Sequence, residues 1–197
     1  MSDMSGPTLC VYCGSRLGSL PAFAHAAGVV GAEIGLRGWN MIYGGGHSGL
    51  MGVVVDAALA AGAQVVGVIP QSLMQRELGH TGLAQLHVVQ TMHERKLMMA
   101  KHADAFLALP GGIGTFEELF EVWSWRQLGY HDKPLGLLNV QGYYDAFGSM
   151  MQTAQAHGFV TSAQHALLEI DTDPRRLLDT LGARLPLATA PDDYRNI

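Results

Sequence analysis

The amino-acid sequence predicts an α/β fold, with a doubly wound parallel sheet, helices on both faces and a single domain over residues 1–197. Short apolar runs alternate with longer stretches of helical periodicity, as in successive βαβ units. The runs are continuously apolar, which favours strands buried on both faces of a parallel sheet. Three of them end in glycine-containing elbows, the positions where such sheets bind ligands. No linker, repeat or low-complexity tract interrupts this order.

Seven runs rich in aliphatic and β-branched residues are predicted to be strands. They cover Thr8 to Cys13, Trp39 to Tyr43, Gln64 to Ile69, Gln85 to Val89, Asp104 to Leu109, Pro134 to Leu138 and, as a short edge strand, Leu167 to Ile170. The carboxyl ends of parallel strands meet at one edge of a sheet. The elbows that follow Cys13, Tyr43 and Leu109 should therefore gather there.

Proline at the first turn and glycine after the last turn set the limits of several helices. The predicted helices cover Pro21 to Leu36, Gly49 to Ala61, Met92 to His102, Thr115 to Leu128 and Tyr143 to His157, and a last one opens at Asp173. The polar stretch over residues 71–82 is expected to be a loop or short helix, and residues 1–7 and 186–197 are expected to be loose tails.

Composition argues against several classes of partner. The net charge is −5 and no block of Lys or Arg occurs, which argues against nucleic acid and against an acidic membrane surface. No apolar run approaches the ~20 residues that span a bilayer, and Met1 to Thr8 lacks the features of a signal peptide. Two cysteines fit a reducing compartment. These features predict a cytoplasmic protein whose partner is a small molecule.

No metal and no cofactor are expected. Cys10 and Cys13 form a C-x-x-C pair, which could serve redox or zinc chemistry. The pair lies in a predicted strand and has no second pair of ligands, so a structural role is favoured. The nine histidines show no spacing typical of a metal site.

The stretch from Leu109 to Glu118 joins a buried strand to a helix through Pro-Gly-Gly-Ile-Gly. Glycines let the backbone approach a phosphate, and the free N–H groups of a helix start point at it. Thr115 can cap the helix and offer its hydroxyl. Because a carboxylate repels phosphate, Glu118 is expected to act beside the phosphate, although a helix start also favours acids for its own stability. Thr115 stands where a P-loop has lysine, which disfavours ATP hydrolysis.

A second elbow, Gly44-x-Gly46-x-x-Gly49, fits the dinucleotide fingerprint. The next strand ends in Ile69-Pro70-Gln71 without the acid that holds a ribose, so a nicotinamide oxidoreductase is disfavoured. The elbow either lets a helix pack closely on the sheet or forms a second wall of a nucleotide pocket, and the second interpretation is slightly favoured. Gly45, Gly46 and Ser15 are candidate binding residues at this edge.

Arg95 shares a helical stripe with Met92, Met99 and His102. Its guanidinium either reaches water past apolar neighbours or lies over a pocket and binds phosphate or a leaving base. Lys96 lies on a neighbouring face.

The next predicted helix is apolar on two sides. Phe116, Leu119, Phe120 and Trp123 should face the sheet. The opposite stripe, Glu118, Glu121, Val122 and Trp125, then needs a second cover. We expect a homodimer on that back face.

Pro110 to Glu118 has the pattern PGGxGTxxE, and Met92 to Lys96 forms an upstream MHERK block. These paired motifs resemble the LONELY GUY (LOG) family of cytokinin riboside 5'-monophosphate phosphoribohydrolases, many of which carry the mistaken label lysine decarboxylase. The resemblance runs from residues 10–15 through 43–46 to 132–134 and 142–144. It implies a Rossmann-like homodimer that hydrolyses the N-glycosidic bond of adenine nucleotides, often N6-prenylated, to free base and ribose 5-phosphate.

The resemblance also implies roles for individual residues. The family's catalytic pair falls on Arg95 and Glu118. Substrate-binding positions fall on Glu77, Met92, Lys96, Gly111, Gly112, Ile113, Gly114, Thr115, Phe116 and Glu117. The alternative from another class is a non-catalytic carrier of a nucleotide or of molybdenum cofactor with the same fold. A carrier would need the phosphate cradle without the pair, and this sequence has both.

Overall fold

The computed structural model describes residues 6–74, 83 and 85–194. They form one seven-stranded parallel sheet in the order β4-β3-β2-β1-β5-β6-β7. The strands are β1 (Thr8–Tyr12), β2 (Asn40–Tyr43), β3 (Val65–Pro70), β4 (Gln85–Val89), β5 (Ala105–Ala108), β6 (Leu135–Leu138) and β7 (Leu168–Asp171). The chain moves outward from β1 on one side and then returns to β5 on the other. The predicted doubly wound α/β fold is confirmed, and its topological switch point lies between β1 and β5.

Helices cover both faces of the sheet. They are α1 (Pro21–Leu36), α2 (Gly49–Ala60), α3 (Met92–His102), α4 (Ile113–Gln127), α5 (Asp145–Ala156), α6 (Ser162–His165) and α7 (Pro174–Arg184). The helices α1, α2 and α7 pack on one face, whereas α3, α4 and α5 pack on the other. Alternate residues of β1 serve the two cores, since Leu9 and Val11 join the first and Cys10 and Tyr12 the second. The single turn α6 was not expected from the sequence.

Cys10 and Cys13 are both buried and both free thiols. Burial raises the pKa of each thiol above its ordinary value, and the charge of Glu118 raises both further. A thiol that stays protonated is a poor nucleophile and a poor redox group. The fold therefore supports the structural role that the sequence predicted for Cys10 and Cys13.

Described residues within both predicted loose tails, residues 1–7 and 186–197, contact the rest of the fold. The carbonyl of Pro7 accepts a hydrogen bond from Asn40 N at 2.8 Å. At the other end, Tyr194 is only 5% exposed. Its ring lies 5.8 Å from that of Trp125, and Asp193 N donates to the carbonyl of Tyr130. Burial of a large aromatic ring favours the packed position of Tyr194, and the looseness of the rest of the two tails stays a prediction.

The expectation that the back face of α4 needs a second cover is wrong. Val122 and Trp125 are buried within the chain itself, and Tyr194 supplies part of the cover over Trp125. Leu119 and Trp123 belong to the same core, but Phe120, expected against the sheet, is partly exposed. The back face of α4 therefore needs no second subunit to cover it.

Candidate active site

Three elbows meet at the carboxyl edge of the sheet, around Gly14. The N–H of Gly14 donates to the carbonyl of Pro110 at 3.1 Å, and the carbonyl of Gly14 accepts from Leu50 N at 3.0 Å. Gly49 has a φ of +59°, and a Cβ there would lie 2.3 Å from Arg16 N, so this close approach requires glycine. The loop after β1 is thus held between the starts of α2 and α4. The expected gathering of the elbows at one edge is confirmed.

A cleft of about 380 Å³ opens where these loops meet. Its volume lies within the usual range for small-molecule sites. Sequence-predicted site residues that line it are Ser15, Arg95, Gly111, Gly112, Ile113, Gly114, Thr115 and Glu118. One cleft therefore joins the glycine-rich elbow and the predicted catalytic pair.

The start of α4 forms one wall of the cleft. Gly112 is the N-cap and makes no side-chain cap, so Thr115 lies in the first turn instead of capping the helix as expected. The first N–H groups of an α-helix have no partner within the helix. A Cβ on Gly111 would lie 2.1 Å from Oγ1 of Thr115. The backbone and the threonine hydroxyl therefore pack directly together, an arrangement suited to binding an anion.

Arg95 is a buried cation whose guanidinium is held by main-chain oxygens. Its Nε donates to the carbonyl of Val68 at 3.2 Å and its Nη2 to the carbonyl of Gly44 at 3.3 Å. A Cβ on Gly44 would lie 1.8 Å from Nη2. The alternative in which Arg95 reaches bulk water past its neighbours is therefore wrong. The charge is fixed at the bottom of the second elbow.

Glu118 faces this cation from α4. Its Oε1 lies 3.6 Å from Nη1 of Arg95, and both side chains are largely buried. Thr115 and Glu118 are three residues apart on α4, so they share one face of the helix about 5–6 Å apart at Cβ. The carboxylate thus lies beside the glycine-rich start of α4 and against a fixed positive charge. This combination suits a reaction in which positive charge develops next to a bound phosphate.

The chain also matches known proteins. The family model described as possible lysine decarboxylase matches residues 51–181. A probable cytokinin riboside 5'-monophosphate phosphoribohydrolase (LOG4) of Oryza sativa subsp. japonica is 46% identical over 174 residues, 88% of this chain and 76% of that one. The cytokinin riboside 5'-monophosphate phosphoribohydrolase LOG1 of Arabidopsis thaliana is 47% identical over 161 residues, 81% of this chain and 76% of that one. The chain belongs to the LOG family.

Solved structures of other proteins share the LOG fold of this chain. The molybdenum cofactor binding protein from Rippkaea orientalis gives a TM-score of 0.69 at 20% identity, over 91% of this chain and 98% of that one. The molybdenum cofactor carrier protein from Chlamydomonas reinhardtii gives 0.69 at 18% identity, over 92% and 99%. At these identities the likeness concerns the fold alone.

Several residues of the two LOG motifs lie outside the cleft lining. Lys96 Nζ contacts Oε1 of Glu117 and, at 2.9 Å, Oε1 of Glu121. Partial burial lowers the pKa of Lys96, but its hydrogen bonds to the two carboxylates outweigh this and raise it. Phe116 packs edge-on against Tyr144. The binding roles of Lys96, Phe116 and Glu117 stay predictions.

The remaining predicted positions of the LOG site are placed as follows. Met92 lies with Sδ 3.8 Å from Nη1 of Arg95. The second elbow lines the cleft through Gly44, whereas Gly45 packs toward Ile69 and Gly46 is buried outside the lining. Glu77 lies outside the described residues.

The LOG cleft also has lining residues that were not predicted to belong to a binding site. Its lining also includes Cys13, Arg16, Phe23, Met51 and Tyr143. Arg16 and Tyr143 follow β1 and β6, so position at the carboxyl edge was the available signal. The Gly-Tyr-Tyr stretch at residues 142–144 was part of the family resemblance. Only the structure shows that Tyr143 contacts the glycine-rich elbow, through the carbonyl of Gly111.

Within residues 6–74, 83 and 85–194, no three His, Cys, Asp or Glu side chains group as metal ligands would. None of the helices described in those ranges is long and apolar enough to cross a bilayer.

Proposed function

We propose that this protein hydrolyses the N-glycosidic bond of adenine-type nucleoside 5'-monophosphates, AMP and N6-prenyl-AMP, to the free base and ribose 5-phosphate. The observation that carries the proposal is the buried Arg95–Glu118 pair, 3.6 Å apart and one helical turn from the glycine-rich start of α4. The relatives named above are phosphoribohydrolases of cytokinin riboside 5'-monophosphates. The same pair argues against a carrier, which would need the anion site alone.

In this proposal the start of α4 binds the 5'-phosphate. The N–H groups from Gly112 to Thr115 supply hydrogen bonds, and the positive end of the helix dipole favours the anion. The phosphate does not react, so its binding energy can position the ribose against the reacting groups. A nucleoside without phosphate should therefore be a poor substrate.

Glu118 acts at the sugar. Cleavage of the C1′–N9 bond leaves positive charge on C1′ and O4′, and a carboxylate stabilises that oxocarbenium-like state. The same carboxylate orients the attacking water or takes its proton. The water oxygen bonds to C1′, and the pair of electrons of the C1′–N9 bond leaves with the base.

Arg95 acts at the other end of the breaking bond. A guanidinium stays charged in proteins, so it is a poor proton donor. Its fixed charge instead offsets the negative charge that grows on the departing base. The carbonyls of Val68 and Gly44 hold the guanidinium of Arg95 in place, so that it does not move toward Glu118. The proton that completes the free base then comes from water or another group.

A substrate panel tests the proposal. Purified protein is incubated with AMP, N6-isopentenyl-AMP, GMP, CMP and adenosine, and free base and ribose 5-phosphate are measured by chromatography. We expect base release from the two adenylates at a much higher kcat/KM than from adenosine. Binding of adenylates without any base release would contradict the enzyme and favour a carrier. Equal rates with AMP and adenosine would contradict the role given to the start of α4.

We also propose that the protein is a cytoplasmic homodimer. Large apolar side chains that remain exposed on α4 and α5, among them Ile113, Phe120 and Met150, support an interface between copies. The two free thiols fit a reducing compartment. Light scattering should give twice the mass of the chain, and a monomer at micromolar concentration would contradict the dimer. Fractionation of cells that express the protein tests the compartment.

A further inference from the structure

The loop that leads into α4 has three successive carbonyls, and each accepts a hydrogen bond from another part of the chain. The carbonyl of Leu109 accepts from the hydroxyl of Tyr144 at 2.7 Å. The carbonyl of Pro110 accepts from Gly14 N at 3.1 Å. The carbonyl of Gly111 accepts from the hydroxyl of Tyr143 at 2.5 Å. Hydrogen bonds from other parts of the chain therefore fix all three peptide planes of the loop that leads into α4.

The third of these bonds bears directly on the anion site. In a trans peptide the C=O and the N–H point in opposite directions, and the described chain has no cis peptide bond. A bond that fixes the carbonyl of Gly111 therefore also fixes the N–H of Gly112. Neither Gly111 nor Gly112 has a Cβ to restrict this peptide, so the hydroxyl of Tyr143 adds a restraint that the side chains of these two residues cannot supply.

A short, unusual turn delivers the tyrosine. β6 is followed by a 3₁₀ turn over Val140–Gly142, in which Gln141 has a φ of +53° and Gly142 a φ of +72°. A side chain in this left-handed region carries a cost of order 1 kcal/mol. Asn139 offsets it, since Nδ2 donates to Oδ1 of Asp145 at 2.8 Å and Oδ1 accepts from Tyr144 N at 2.7 Å.

The hydroxyl of Tyr143 lies at the cleft and not in the hydrophobic core. Its ring packs edge-on against Phe23 and Tyr144, yet 39% of the residue stays exposed and it lines the cleft. Tyr144, by contrast, is almost fully buried. Loss of the Tyr143 hydroxyl should therefore cost little stability, because solvent can replace it at the carbonyl.

We propose that Tyr143 is a positioning residue for the phosphate of the substrate. Its hydroxyl holds the Gly111–Gly112 peptide in the orientation that presents the amide at the start of α4. The inference rests on the proposed function, because it takes the ligand of that amide to be the 5'-phosphate. Tyr143 acts through the backbone and not on the reacting bond, so its effect should appear in binding of phosphate-bearing molecules and not in kcat.

The test compares Tyr143→Phe with wild type, with Tyr130→Phe as the matched control outside the cleft lining. Calorimetry gives the Kd of ribose 5-phosphate, and steady-state kinetics give kcat and KM for AMP and the inhibition constant of adenine. For Tyr143→Phe we expect Kd and KM to rise together by about five- to ten-fold, as for one lost hydrogen bond. Its kcat, adenine inhibition and thermal midpoint should match those of wild type and of Tyr130→Phe.

Three outcomes would each overturn the inference, and a fourth would overturn only the proposed enzyme. Unchanged affinity for ribose 5-phosphate would show that the hydroxyl does not position the amide. A parallel loss of adenine binding and thermal midpoint would assign Tyr143 a general structural role. A wild type that fails to bind ribose 5-phosphate would remove the phosphate site itself. A wild type that binds ribose 5-phosphate but releases no adenine from AMP would overturn the proposed enzyme, while the binding comparison would still decide the role of Tyr143.

Discussion

Nη1 of Arg95 lies 3.6 Å from Oε1 of Glu118, and their side chains are 8% and 11% exposed. Two opposite charges with so little access to water attract each other strongly, and removal of one leaves the other poorly compensated. The pair is not held by this attraction alone, because main-chain oxygens bind the other nitrogens of the guanidinium. The cation is therefore already in place before a ligand enters.

Glu118→Gln should lower kcat for AMP by about 10²-fold or more, because the amide keeps the size of the side chain but loses the charge that stabilises the transition state. KM should change little. The matched control is Glu121→Gln, one turn further along α4, where Lys96 keeps its contact with Glu117. The control should hydrolyse AMP at close to the wild-type rate. A Glu118→Gln protein with a near-normal rate would remove the carboxylate from the mechanism.

Gly44→Ala should lower activity through Arg95. The new Cβ would lie 1.8 Å from Nη2 and 3.0 Å from Cζ of that arginine, so the guanidinium must move. A displacement near 1 Å in an active site can cost about 10²-fold in rate. Gly28→Ala is the control, since the nearest atom to its new Cβ, Val53 Cγ1, is 3.9 Å away. Kinetics and thermal unfolding of both variants check this, and a fully active Gly44→Ala protein would contradict it.

Periodicity and glycine placement were enough to predict the strands and the main helices of this fold, because each apolar run had to be buried. They also placed the elbows at one edge, since all parallel strands end there. The start of α4 was predicted two residues late. The reason is local: Thr115 is a good N-cap residue, but Gly112 occupies the cap, and this lets the helix begin at Ile113.

The contacts that connect distant segments could not be predicted from the sequence. No pattern shows that the hydroxyl of Tyr143 reaches Gly111, 32 residues away. Nor does any pattern show that Tyr194 covers Trp125, which is why the back face of α4 was assigned to a second subunit. Both contacts join segments that are far apart in the sequence. Residue propensity describes local structure and does not predict such contacts.

Tyr194→Ala should destabilise the protein by about 2–4 kcal/mol, because it removes a buried ring from the cover over Trp125. It also ends the contact of that ring with Lys133, whose Nζ lies 5.4 Å from the ring centre. Phe159→Ala is the control, since Phe159 is 85% exposed and should change the free energy of unfolding by less than about 0.5 kcal/mol. Urea unfolding of both variants provides the measurement. If the two variants had the same free energy of unfolding, Tyr194 would add no stability and the C-terminal segment would be a loose tail.

His131 predicts a loss of stability in mild acid. Its Nε2 lies 3.0 Å from the carbonyl of Val122, which can only accept, and its Nδ1 accepts from Lys133 N at 3.2 Å. Both ring nitrogens are thus used by the neutral imidazole, and protonation of Nδ1 would set two donors against each other. The pKa of His131 is lowered to about 4, chiefly by burial and also by the charges of Lys133 and Arg126, while the hydrogen bond to Val122 and the charge of Asp132 oppose the shift.

The sign of the pH effect follows from that lowered pKa. Between pH 6.5 and pH 4 the unfolded chain binds a proton at this histidine that the folded chain does not, so stability should fall as the pH is lowered through this window. The full loss is on the order of 3 kcal/mol.

Urea unfolding of wild type and His131→Gln at several pH values measures this loss of stability. The variant should be less stable at neutral pH, and its difference from wild type should shrink toward pH 4. Because carboxylates such as Asp171, whose pKa is lowered by its hydrogen bond to Arg176, titrate equally in both proteins, the difference isolates the imidazole. Parallel stability curves for the two proteins would show that His131 takes up its proton in the folded state as easily as in the unfolded one.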